Sequence, residues 1–194
     1  MREASNMGRP REFDSEEALE AITKAFWAKG FEGTSMSDLM AVTGLNKGSL
    51  YAAFGDKQAL YRQALAHYDE AWIGRLVESL SGDSPPTERI ERLLQTAIDG
   101  AAGRKPATGC FLCNAAIEQA PADPVARRLV KASLARLETA LVEVVSELAV
   151  ADPEKTAKHI LSVYFGLRVL AKAGNAPASL LEVKQSALEM LSGR

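Results

Sequence analysis

The sequence predicts an all-α protein of about nine helices, with a three-helix unit near the N-terminus and a larger helical body after it. Three observations predict this. Apolar residues recur at three- and four-residue spacing through most of the 194 residues, the pattern of helices buried on one face. The breaks in that pattern coincide with Gly, Pro, Asp and Asn at positions that start or stop helices. No segment carries sustained alternation of β-branched residues, so no sheet is expected.

The elements follow in order. Asp14-Ser-Glu-Glu17 reads as a capping box, with Glu17 reaching back. Ala18, Leu19, Ile22, Ala25 and Phe26 then form one apolar face, and Gly30 ends the first helix. Ser35-Met-Ser-Asp38 starts a short second helix that stops at Gly44. Asn46 caps a third, Lys47 to Phe54, which Gly55 closes. Asp56 caps a long helix from Lys57 to about Leu80, broken by Ser81-Gly-Asp-Ser-Pro-Pro86. Further helices are expected near 86–103, 109–119, 123–149, 153–173 and 178–192. Their separators are Gly103-Arg-Lys-Pro106, Pro121-Ala-Asp-Pro124, Ala151-Asp-Pro153 and Gly174-Asn-Ala-Pro177.

Composition narrows the function classes. The chain is 47% apolar and 25% charged, ordinary for a globular protein. No apolar run approaches the roughly 20 residues of a membrane span, and Met1 to Pro10 lacks the apolar core of a signal peptide. Two cysteines make no disulfide scaffold, so a cytoplasmic location is expected. There is no paired-carboxylate or nucleophile–base constellation, and two histidines offer little acid–base equipment. Neither an enzyme nor a cofactor is expected. The net charge of −2 does not advertise a nucleic-acid binder. Residues 1–62 carry eight Lys/Arg against nine Asp/Glu, but five of the acids fall between Glu12 and Glu20, beside the positive end of the first helix. From Leu39 to Arg62, Lys47, Lys57 and Arg62 face Asp56 alone.

The segment Thr34 to Lys57 forms two short helices joined by a tight turn at Thr43-Gly44-Leu45. Leu39, Val42, Leu45, Leu50 and Phe54 are spaced to face inward, which leaves Lys47, Gly48, Ser49 and Ala52 outward. Short and polar residues at a helix N-terminus suit entry into a DNA major groove. Gly48 costs roughly 1 kcal/mol within a helix relative to alanine, which close approach to DNA would justify. Thr34, Ser35, Asn46, Tyr51 and Lys57 supply hydroxyls, an amide and a charge that can fix register on phosphates. Spacing alone fits a helical hairpin in an ordinary bundle equally well.

The joint pattern resembles the DNA-binding domain of the TetR/AcrR family of bacterial transcriptional repressors. The residues that carry the likeness are Gly33-Thr34-Ser35, Leu39, Gly44-Leu45, Lys47-Gly48, Leu50-Tyr51, Phe54 and Lys57-Gln-Ala-Leu60. It covers about residues 10–65 strongly, and beyond them rests on helix count and layout. Met40 and Thr43 stand where the family usually has alanine, Asn46 where it has serine, and Ala53 where histidine or tyrosine is frequent. These departures bear on which operator is read. The resemblance implies a flexible basic arm over 1–12, a helix-turn-helix domain over 13–60, and a helical ligand-sensing and dimerisation domain over 61–194. It also implies a homodimer on double-stranded palindromic DNA, released by a small-molecule effector. A helical adaptor that binds only protein is the alternative of a different class.

Within the arm, Arg9 and Arg11 of Gly8-Arg-Pro-Arg11 suit an adjacent minor groove. The plain alternative is a solvated tail whose charge Glu3 and Glu12 blunt. In the body, Cys110 and Cys113 share a face near a helix N-terminus, where a thiolate is favoured. They read as core packing, a redox or electrophile switch, or a soft-metal site, the last short of ligands with only His67 and His159 to add. Tyr68, Trp72, Phe111, Tyr164 and Phe165 read as core or as walls of an apolar pocket, with Asn114 or Arg168 as polar anchor. Arg168 suits an acidic ligand group or, preferably, an ion pair with Glu143, Glu147 or Glu182. The last two helices are more apolar than a monomer's surface needs, through Ala157, Ile160, Leu161, Tyr164, Leu167, Val169 and Leu170 on one and Leu180, Leu181, Val183, Leu188 and Leu191 on the other. Two such pairs would form a two-fold four-helix bundle.

Overall fold

A computed structural model describes residues 13–99 and 108–191, and the basic arm with Arg9 and Arg11 lies outside them. The described residues are helical with no strand. Helix α1 (Ser15–Lys29) starts at Asp14, whose carboxylate accepts from the amides of Glu16 and Glu17, without the reciprocal bond from Glu17. Helix α2 (Met36–Thr43) closes a full capping box instead, between Ser35 and Asp38. Helix α3 (Lys47–Phe54) follows a turn in which Gly44 is left-handed, φ 69°, and donates its N–H to Met40. That conformation costs other residues roughly 1–2 kcal/mol, so glycine sets the angle between the two short helices.

The three helices close on Ile22, Phe26, Leu39 and Leu50, all fully buried. Val42 does not join them. It is 49% exposed, because Met36, Leu39, Met40 and Thr43 fill the inner stripe of an eight-residue helix and leave Val42 on its outer edge.

The expected long helix is present but slips register. Helix α4 (Lys57–Tyr68) passes through a π turn (Asp69–Ile73) into α5 (Gly74–Leu80). Arg136 of the helix opposite donates to Asp69 at 2.9 Å and approaches the Gly74 position, where a Cβ would lie 3.4 Å from its Nη2. Such turns widen a helix locally and often border functional sites.

The body comprises α6 (Pro86–Asp99), α7 (Phe111–Glu118), α8 (Pro124–Ser146), α9 (Pro153–Lys172) and α10 (Pro177–Leu191). Helix α8 packs against α4, α5, α7 and α9, while α10 lies on α6 and α9. Phe26 meets Tyr61 edge-on at 5.1 Å and Tyr61 meets Phe111 at 5.4 Å, so one aromatic chain runs from α1 through α4 to α7. The core is continuous between the N-terminal unit and the body.

On α9 and α10, Ala157, Ile160, Leu161, Tyr164, Leu167, Leu180 and Leu191 are buried within the chain itself. Val169, Leu170, Leu181 and Val183 remain exposed, as does Met190.

Candidate DNA-binding surface and sensing cavity

Helix α3 presents its N-terminal end outward. Leu50 and Phe54 anchor its inner face, and Asn46, Lys47, Gly48, Tyr51, Ala52 and Ala53 are exposed. The Asn46 side chain caps the amide of half-buried Ser49 at 2.9 Å. The Lys47 ammonium stands 5.6 Å from the centre of the Tyr51 ring. At Gly48 a Cβ would press on the capping Asn46 Oδ1 at 3.3 Å and meet nothing else within 4 Å.

Other expected contacts are committed inside the protein. Thr34 is fully buried and donates its hydroxyl to Gly30 O at 2.7 Å, which removes its side chain from a phosphate-facing role. The sequence hid this because Thr34 closes the corner between α1 and α2, where its hydroxyl turns back onto carbonyls of α1 and its end. Ser35 is exposed, but its hydroxyl donates to Asp38 at 2.5 Å. The Lys29 ammonium, with the Ser35 hydroxyl and amide, holds the Asp38 carboxyl well below the usual carboxylate range. The Lys57 ammonium sits 4.3 Å over the Phe31 ring, so it is positioned by a cation–π contact. Val42 leaves an exposed apolar side chain beside the turn.

The second site is a cavity of about 290 Å³. Of the seven residues expected there, Tyr68, Trp72, Tyr164 and Arg168 line it. Phe111 is instead fully buried between Tyr61 and Tyr68. Asn114 accepts from Lys172 at 2.9 Å, and Phe165 meets Tyr164 edge-on without lining the cavity. Sequence reasoning missed Trp27, Arg75, Leu76, Ser79 and Thr96. Three of these were within reach, since Arg75, Leu76 and Ser79 share a helix face with Trp72. Trp27 was hidden because α1 was assigned wholly to the N-terminal unit, whereas its far side walls the body.

Arg168 makes no ion pair with the expected glutamates. It donates to the carbonyls of Thr96 (3.4 Å) and Gly109 (2.5 Å), and its Nε is buried without a partner. Glu147 is taken by the buried Arg89. Arg168 cannot reach it because the α9 side chain turns inward between α6 and the start of α7.

Cys110 is the residue that opens α7, and it is buried. Hydrogen bonds from the Cys113 thiol and amide, the Arg168 charge and the Tyr68 hydroxyl pull its thiol down to about 6. Cys113 is pushed the other way by the sulfur it donates to and by burial. No group of three or more His, Cys, Asp or Glu side chains suited to a metal ion occurs among the described residues.

Two polar latches join the sites. Glu118, at the end of α7, accepts from the amides of Phe31 and Glu32 at 2.9 Å each. Asp123 accepts from Arg62 (2.8 and 3.0 Å), Gln58 (2.8 Å) and Val125 (2.9 Å). The Arg62 guanidinium, with Gln58 and the α8 amides, holds the Asp123 carboxyl well below the usual range. A carboxyl depressed in the folded state stabilises above its unfolded value of about 3.9, and that stability is lost as pH falls toward the folded value. The melting temperature of Asp123→Asn should therefore lie below wild type at pH 6. The gap should narrow steadily below about pH 4.

A family model described as "Bacterial regulatory proteins, tetR family" matches residues 18–64. A second, "Tetracyclin repressor-like, C-terminal domain", matches residues 86–187, more than half of the chain. This chain belongs to the TetR family. The family is one of DNA-binding transcriptional regulators, and its helix-turn-helix corresponds here to α2 and α3. Among its relatives, the uncharacterised HTH-type transcriptional regulator YezE of Bacillus subtilis (strain 168) is 33% identical over 134 residues, 69% of each chain. The HTH-type transcriptional repressor ComR of Escherichia coli (strain K12) is 25% identical over 191 residues, covering 94% of this chain and 91% of ComR. Among solved TetR-family structures, a cysteine mutant of CifR complexed with 26bp double-strand operator DNA superposes with a TM-score of 0.82. It is 31% identical and covers 93% of this chain and 98% of CifR. No described helix is long and apolar enough to cross a membrane.

Proposed function

We propose that this protein is a ligand-responsive transcriptional repressor that binds a palindromic operator as a homodimer and leaves it when a small molecule fills the cavity. The observation that carries this reading is shared structure. The continuous α4–α5 helix lines the cavity through Tyr68, Trp72, Arg75, Leu76 and Ser79, and its other end packs on α1 and α3. A ligand that favours one tilt of that helix must weaken or strengthen DNA binding by the same factor that DNA alters ligand binding. The operator complex of CifR and the repressor name of ComR support the DNA side. The exposed apolar side chains on α9 and α10 support the dimer. Binding of the full chain to genomic fragments, with affinity falling linearly in log salt, tests the reading. An affinity indifferent to sequence and salt would overturn it.

One observation favours a second input. The Cys110 thiol is lowered to about 6 and hydrogen-bonded to Cys113, which equips it to react with a peroxide when the start of α7 opens, since the sulfur is buried at rest. The Cys110 thiolate attacks one peroxide oxygen and the other leaves as water after protonation. Cys113 then displaces the resulting sulfenic hydroxyl as a second water, leaving a disulfide. The alkylation rate of Cys110 should reach half its maximum near pH 6 rather than near the ordinary thiol value of about 8.5. Peroxide should release wild type from DNA but not Cys110→Ser/Cys113→Ser. Release of that variant by peroxide would sink this second reading.

A further inference from the structure

The cavity carries more chemical information than its size. At about 290 Å³ it sits near the low end of small-molecule sites, enough for a compound of one or two rings. Its aromatic wall is already ordered. Tyr68 and Trp72 stack at 5.4 Å with planes 11° apart, and Trp27 meets both edge-on at 5.0 and 5.6 Å. Such a corner accepts a flat ring by stacking on one face and edge contact on another.

Charge selects further. The lining contains two guanidinium groups, Arg75 and Arg168, and no carboxylate. The Arg75 guanidinium stands 5.4 Å from the centre of the Trp72 ring. Arg168 is the sharper case. Of its five N–H donors, two are used by the carbonyls of Thr96 and Gly109, and the buried Nε–H has no acceptor. Among the described residues no acid pairs with it within 4 Å. Its charge faces the Cys110 sulfur, whose thiol it helps to lower, and its set of acceptors is incomplete; a buried guanidinium with an unfilled donor is held at a cost, which an anionic ligand would relieve. The free Nε–H and the remaining Nη protons offer the fork that carboxylates accept.

We infer that the cavity binds a small aromatic carboxylate, its ring against Trp27, Tyr68 and Trp72 and its carboxylate on Arg168. The inference rests on the reading of this cavity as the effector site and names the ligand class that the site takes. Cations are disfavoured because both charged groups of the lining are positive. Neutral aromatics gain the stacking but leave Nε unpaired.

The chain supplies its own reporter, since its two tryptophans, Trp27 and Trp72, both line the cavity. Naphthoate, naphthamide and naphthylmethylamine are titrated into the full-length protein while tryptophan emission is followed. Naphthoate should quench saturably, with the amide at least about tenfold weaker and the amine weaker still. In Arg168→Gln, checked for native helicity, the preference for acid over amide should vanish. If the amide or the amine binds wild type as well as the acid, the carboxylate assignment is overturned while the effector reading stands. If none of the three quenches at ~1 mM, the inference is likewise overturned. The effector reading fails separately, if an inducer found by operator release still acts on Ser79→Trp, which fills the cavity.

Discussion

Replacing Lys47 and Tyr51 together by alanine should weaken operator binding by roughly 100-fold at about 0.1 M salt, close to 3 kcal/mol. The fold should barely notice. Both side chains are exposed and Lys47 contacts mainly the Tyr51 ring, so stability should stay within about 0.5 kcal/mol of wild type. The loss has a signature that non-specific damage lacks. A proposed dimer sheds two lysines, so the slope of log affinity against log salt should flatten by about 2. Fluorescence anisotropy on a labelled operator at several salt concentrations measures both quantities. An unchanged affinity and slope would show that the exposed end of α3 is not the reading surface.

Legibility in the sequence tracked how local the deciding force was. Asn46, Gly44 and Ser35 act on amides within a few residues of themselves, so the boundaries of α2 and α3 could be read off directly. Thr34 and Val42 could not, because burial of a corner residue depends on which helix packs over it. The π turn at Asp69–Ile73 was invisible for the same reason. Its first residue, Asp69, is bonded by Arg136, 67 residues away. Aromatic residues announced a pocket, yet only contact geometry separates Phe111, locked between two tyrosines, from Trp72, which faces the void. Arg168 was legible as an anomaly in an apolar helix. Its partners were not, since backbone carbonyls carry no sequence signature.

The latches give the proposed switch its geometry. Cys110 opens α7 and Glu118 closes it, so one eight-residue helix has the thiol and Arg168 at one end and the α1–α2 corner at the other. Asp123 ties the next turn of chain to α4 through Gln58 and Arg62. A shift of α7 or of α4 therefore reaches the helix-turn-helix through hydrogen bonds to charged groups, each stabilising by roughly 1.5–3 kcal/mol when well shielded. That is the scale of an allosteric coupling energy, about 1–3 kcal/mol.

Placing a charge on each of the two final helices, Val169→Glu with Leu181→Glu, should separate the proposed dimer. Val169 is 52% and Leu181 42% exposed in the protomer, so neither change hollows the core, and the helical signal and single-chain melting should persist. In a two-fold interface every substitution appears twice. Four carboxylates would then be buried among Leu170, Val183 and their symmetry mates without cations, at a cost of several kcal/mol. Operator affinity should fall further than in the α3 variant. Once one half-site is held, the partner's recognition helix sits at an effective concentration set by the dimer, and losing that linkage removes about 10²–10⁴ in affinity. Light scattering reports the mass and anisotropy the binding. The half-site affinity should remain, because α3 is untouched, and this separates loss of pairing from loss of reading. A variant that stays dimeric and holds its operator would move the interface away from α9 and α10.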